Sequence, residues 1–141
     1  MGTILCATRG GDASFRAQDA AIALAKERGD ELLFLYVVDI RFLDKTARAV
    51  RPDVVTAEME KMGEFLLAMA QERAQKQGVE ARYILYHGDL RDELKAAACG
   101  EAVDLVVLGQ PAGAESAFTL ADLEACAAEI EAETGVQACI I

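Results

Sequence analysis

Four glycines, Gly29, Gly78, Gly100 and Gly135, each stand between a helical apolar pattern and an apolar run that begins within three residues. This punctuation limits what the chain can fold into more than any other feature. Together with the opening run, it marks strands at residues 3–8, 32–38, 81–87, 103–108 and 136–141. Leu32-Leu33-Phe34-Leu35-Tyr36-Val37-Val38 and Val106-Val107-Leu108 show no polar alternation, so they predict strands buried on both faces by helices. Residues 81–87 alternate more and carry Arg82 and Tyr86, which suits an edge or near-edge strand. Five strands and four helices in strict alternation predict an α/β fold: a parallel sheet with right-handed crossovers and helices on both faces, one domain over residues 1–141. The order 3-2-1-4-5 puts strands one and four at the centre and the topological switch point between them. Open α/β sheets hold ligands there. The flanking loops are Arg9-Gly10-Gly11 and residues 109–113, Gly109-Gln110-Pro111-Ala112-Gly113.

The helices follow from their own start and stop signals. Asp12 is expected to cap a first helix running to Arg28, with Phe15, Ala17, Ala20, Ala21, Ile22, Leu24 and Ala25 inward. Pro52 opens a second, over residues 53–77, whose stripe Val55, Met59, Met62, Leu66, Met69 predicts the buried face. Asp89 caps a third, with Leu90, Leu94 and Ala97 inward and Gly100 as its stop. Thr119 and Asp122 resemble a capping box, with aspartate in the glutamate position, opening a fourth helix with Leu120, Leu123, Ala127 and Ile130 inward. The last strand, Val136-Gln137-Ala138-Cys139-Ile140-Ile141, carries no charge or proline to discourage pairing, so a partner strand is expected to cover it.

Charge and composition exclude several function classes. A formal net charge of -10 repels a phosphate backbone or an anionic membrane face, so neither nucleic acid nor membrane is an expected partner. The opening run is too short for a signal segment and no stretch reaches membrane-spanning length, which predicts a cytoplasmic protein. Cys6, Cys99, Cys126 and Cys139 never form a CxxC pair, and His87 is the only histidine, so no metal site is expected. His87 meets a turn without a nucleophile placed beside it by any motif, and a turn-packing role is favoured over a general base. Residues 39–52 run against the overall charge: Arg41, Lys45, Arg48 and Arg51 face only Asp39 and Asp44. That stretch is either a solvated charged face or a segment that docks a transporter or other protein partner.

Taken in order, Ile4-Leu5-Cys6-Ala7-Thr8 with Gly10, Ala17 and Ala21 to Gly29, Leu32 to Val38-Asp39, Gly88-Asp89, and Ala102 to Gly109 resemble the universal stress protein family across the whole chain. The resemblance implies a Rossmann-like five-stranded α/β sandwich, commonly a homodimer paired through the last strand, here residues 136–141. Members that bind ATP carry an aspartate after strand one, backbone contacts at the end of strand two, and a glycine loop G-x2-G-x9-G-[ST] after strand four. Such glycines allow a backbone to approach phosphates closely.

This chain keeps Val38, Asp39 and Gly109, but Arg9 replaces the expected aspartate. Counted without a gap from Gly109, the second glycine falls on Ala112 and the final pair on Asp122-Leu123, which sets a carboxylate where a phosphate would lie. The expectation is a non-catalytic regulatory or binding module without a cofactor, which does not bind ATP in the family's usual manner. An alternative is an ATP or AMP sensor, or slow ATP hydrolase, using Val38, Asp39, Gly109, Gly113 and Ser116 in a shifted loop. Arg9, Gly10, Gly11 and Gln110 complete the candidate nucleotide or anion site, with Arg9 either meeting a small anion or bridging to a nearby carboxylate.

Overall fold

A computed structural model describes residues 2–9, 12–39, 52–110 and 119–141. Its order is β1 (Thr3–Ala7), α1 (Asp12–Arg28), β2 (Glu31–Asp39), α2 (Pro52–Lys76), β3 (Ala81–Gly88), α3 (Leu90–Gly100), β4 (Leu105–Leu108), α4 (Leu120–Thr134) and β5 (Gln137–Ile140). All strand pairs are parallel, and the sheet order is β3-β2-β1-β4-β5, as the apolar runs predict. Cys6 stands beside Phe34 on one side and Val107 on the other, so the switch point falls between β1 and β4.

Alternation of side chains through the sheet produces two separate cores. One face carries Ile4, Cys6, Phe34 and Val38 against α1 and α2, and the other carries Leu5, Leu33, Val106 and Leu108 against α3 and α4. Near-complete burial of an apolar side chain is worth about 1.5–3 kcal/mol, which makes these two layers the main source of stability.

The structure corrects the expected face of α2. Met59 and Leu66 pack against the core as expected, but Met62 and Met69 point outward, and the fully buried face, Gly63, Leu67, Ala70 and Ala74, lies about a quarter turn from the predicted stripe. Close approach decides this. A Cβ on Gly63 would lie 2.5 Å from the Tyr36 ring and 3.0 Å from Leu85, so glycine lets the helix backbone settle on those side chains. Burial of Tyr36 beneath this layer raises its phenol pKa above the ordinary value.

The helix stops need a second correction. Gly29, Gly78 and Gly135 take left-handed φ values of 70°, 77° and 74°, but Gly100 is still helical. The left-handed turn after α3 falls on Ala102 at φ 53°, after Glu101 has donated its N–H to the Ala97 carbonyl. Asp12 is likewise the first helical residue, one place inside its expected capping position.

Candidate functional site

Arg9 spans the space between the carboxyl ends of β1 and β4. Its backbone N–H donates to Ser14 Oγ at 3.0 Å, and its guanidinium Nη2 donates to the Gly109 carbonyl at 3.1 Å. One side chain thereby ties the loop after β1 to the loop after β4. Partial burial lowers the guanidinium pKa from its ordinary value, although an arginine remains charged at neutral pH. The Gly109 carbonyl was not among the partners expected from sequence.

A buried polar chain runs from β1 into the helices beside this bridge. Gln18 Nε2 donates to Thr8 Oγ1 at 2.6 Å, and Arg73 Nη1 donates to Gln18 Oε1 at 3.0 Å. Arg73 also pairs with Asp19 and lies 4.9 Å above the centre of the Phe15 ring. Thr8, Ser14 and Gln18 are the buried polar residues among those described. Sequence reasoning missed this chain, yet a signal was present: Ser14, Gln18 and Ile22 share a helical face with Ala17, Ala21 and Ala25.

The start of α4 is closed by its own side chains. The Asp122 N–H donates to Thr119 Oγ1 at 3.1 Å, and the Thr119 N–H donates to Asp122 Oδ2 at 2.9 Å. The other Asp122 oxygen lies 3.9 Å from Arg91. This reciprocal cap satisfies donors that an anion would otherwise use at a helix N-terminus.

The remaining expected site residues divide into two groups. Val38 is fully buried and pairs in register with His87, Asp39 ends β2 opposite Gly88, and Gly109 is buried at the end of β4. Gln110 is exposed, and its N–H donates to the Ile141 carbonyl at 3.2 Å, while the Ile141 N–H donates to Leu108 at 2.9 Å. Gly10, Gly11, Gly113 and Ser116 lie outside the described residues, as does the basic segment 41–51.

The last strand forms the edge beyond β4, with Val136, Ala138, Cys139, Ile140 and Ile141 half-buried and Gln137 exposed. Its freedom to pair is more guarded than the strand sequence predicts. Glu131 of α4 accepts the Ala138 N–H at 3.1 Å, so a neighbouring carboxylate reaches a strand that has no charge of its own.

The titratable groups show little reactive character. His87 Nε2 lies 2.7 Å from Glu60 Oε1, a contact between β3 and α2 rather than to a nucleophile. Burial, with a smaller contribution from Cys139, pushes the Cys6 thiol up to about 12, and burial also raises Cys126 and Cys139. Such thiols stay protonated and inert. No group of three or more histidine, cysteine or carboxylate side chains among the described residues is placed to hold a metal. A groove of about 420 Å³ between the later turns of α1 and α2, lined in part by Asp19, Lys26, Arg73 and Lys76, is separate from the switch point. No helix among the described residues is long and apolar enough to cross a membrane.

Known proteins share this fold. The model of the universal stress protein family matches residues 1–123. Universal stress protein YxiE of Bacillus subtilis (strain 168) is 34% identical over 113 residues, covering 75% of this chain and 76% of its own. Among solved structures, a universal stress protein family member from Burkholderia pseudomallei aligns with a TM-score of 0.76 at 23% identity, over 99% of this chain and 95% of that one. The universal stress protein from Archaeoglobus fulgidus in complex with dAMP aligns with a TM-score of 0.63 at 15% identity, over 100% and 97% of the two chains. The family match over most of the chain, together with a relative above 30% identity, establishes that this chain belongs to the universal stress protein family.

Proposed function

We propose that this chain is a non-catalytic regulatory or binding module of the stress response, working in the cytoplasm without ATP bound in the family's usual manner. The observation that carries this reading is the reciprocal cap between Thr119 and Asp122. A phosphate at this helix start would have to displace that cap and lie beside the Asp122 carboxylate. Two like charges a few ångströms apart repel by several kcal/mol at an effective dielectric of about 20, more than an ordinary hydrogen bond of about 1 kcal/mol returns. Arg9, held by the Gly109 carbonyl where ATP-binding members resemble one another in an aspartate, supports the same reading.

The module is proposed to act as a homodimer through residues 136–141, with the Glu131 carboxylate leaving the Ala138 N–H as the edges pair. A Glu131→Ala variant should then dimerise at lower concentration than the wild type in sedimentation velocity.

The dAMP complex of the Archaeoglobus fulgidus relative favours a second reading, in which Val38, Asp39, Gly109, Gly113 and Ser116 serve a nucleotide sensor or slow ATP hydrolase with a shifted loop. Calorimetric titration with ATP and with AMP, with and without magnesium, separates the two. Silence up to millimolar nucleotide in both wild type and Arg9→Asp supports the first reading. Micromolar binding by the wild type overturns it.

A further inference from the structure

Helix α2 carries more apolar surface than the sheet covers. Gly63, Leu67, Ala70 and Ala74 are buried, while Met62, Phe65 and Met69, about a third of a turn away, are 58%, 65% and 36% exposed. Their spacing of three and four residues joins them into one stripe. A single exposed methionine needs no explanation, but a contiguous apolar stripe on a long helix marks a contact surface. We propose that this stripe binds the same stripe of a second copy of the chain, with the two α2 helices antiparallel about a two-fold axis level with residue 67.

The charges beside the stripe select this occupant. The chain as a whole has a formal net charge of -10, so two copies repel over most of their surface. Along the stripe the balance is neutral: Glu58 pairs with Lys61 at 3.7 Å and Glu72 with Lys76 at 3.4 Å, and all four are exposed. In an antiparallel pair about residue 67, Phe65 meets Met69 of the other copy, and Met69 meets its Phe65. Glu58 then faces Lys76, and Lys61 faces Glu72. At about 100° per residue, Glu58 and Lys76 fall on the line of the stripe beyond its two ends, Lys61 and Glu72 flank one side of it, and antiparallel helices bring like flanks together. The apolar pairs therefore lie between opposite charges at both ends of the stripe and along one rim, and the two-fold axis repeats every contact.

The contact strip from Glu58 to Lys76 is about 27 Å long at 1.5 Å per residue. One helix wide, it is smaller than the roughly 800 Å² per partner of a standard interface, so the pairing is reversible and concentration-dependent.

Sedimentation velocity from low micromolar to near-millimolar protein tests this directly. Because this test rests on the proposed β5 homodimer, the quantity read is a doubling of mass beyond it. Wild type should show that doubling, and Phe65→Glu should abolish it while keeping the same melting temperature. Glu58→Lys, which brings lysine against Lys76, should weaken it about tenfold, and Glu58→Lys with Lys76→Glu should restore it. Doubling unaffected by Phe65→Glu, absence of doubling in the wild type, or failure of the charge swap to rescue would overturn the proposal. A Phe65→Glu variant that melts early without altering association would also overturn it, by showing that the stripe is covered within its own chain.

Discussion

Against the sheet face carrying Ile4, Phe34 and Val38, α1 and α2 approach on small residues and enclose a polar chain, Thr8, Gln18 and Arg73. Against the opposite face, Leu90, Leu94 and Ile130 of α3 and α4 fill the space, and ion pairs lie over them. Lys95 reaches Glu133 at 2.7 Å and Glu129 at 3.7 Å, and Arg91 reaches Glu129 at 3.6 Å. The first layer depends on a close approach at Gly63 that tolerates no added atom and on a hydrogen bond from Gln18 to Thr8 shut away from water. The second depends on bulk, with charges that water and salt can replace. One sheet thus supports a rigid half and an adjustable half.

The widest separation between the halves is expected at high pH. The folded Cys6 thiol has a pKa of about 12, against an ordinary value of 9.0 in the open chain, so the unfolded state loses its proton first. Stability from this group is present below pH 9 and is lost as pH rises toward 12, at no more than about 1.4 kcal/mol per pH unit. Urea titrations across that range should show a flatter decline for Cys6→Ala. Cys126→Ala, on the other face, should change the slope less, because Arg91 and Lys95 offset part of what burial, Glu129 and Asp89 do to its thiol. Equal slopes for the two variants would erase the distinction.

Gln18→Leu should cost about 1–3 kcal/mol in chemical denaturation, since it leaves the buried Thr8 hydroxyl without its partner and takes one bond from the partly exposed Arg73. A loss below about 1 kcal/mol would mean that this chain is not what stiffens the α1 and α2 layer. Gly63→Ala should cost about 1–2 kcal/mol net, the clash with Tyr36 outweighing the roughly 1 kcal/mol gained in helix propensity. Lys95→Ala is the smallest change expected: its melting midpoint should stay close to wild type, and any shift should vanish in molar salt. A large salt-resistant loss there would place the second layer with the first.

Most of the fold is legible in the sequence because its signals agree: unbroken apolar runs, glycine stops and strict alternation lead to one sheet order. α2 was legible as a helix but not in its rotation. More than half its circumference is apolar, and the larger side chains of Met62 and Met69 outweigh Gly63, Ala70 and Ala74 in any pattern of hydrophobicity. Only the proximity of Tyr36 reveals that small residues win. The turn at Ala102 was hidden for a similar reason, since Gly100 offers the stronger local stop while the backbone passes it by. At the candidate site, Arg9 and Asp122 stood out by their charge, and the structure gives each a partner. Gln18 did not stand out, because a polar residue among alanines reads as solvent-facing until the strand that receives it is in place.

The last rungs of the sheet couple places that differ in kind. Ile141 gives its N–H to Leu108 and accepts the N–H of Gln110, so the residue following β5 is bonded on both sides of Gly109, whose carbonyl holds Arg9. Any partner that orders this margin lowers the entropy left to be lost when something settles at the switch point, and the favour is returned in equal measure. Affinity at the crevice is therefore expected to vary with protein concentration, and self-association with ligand concentration.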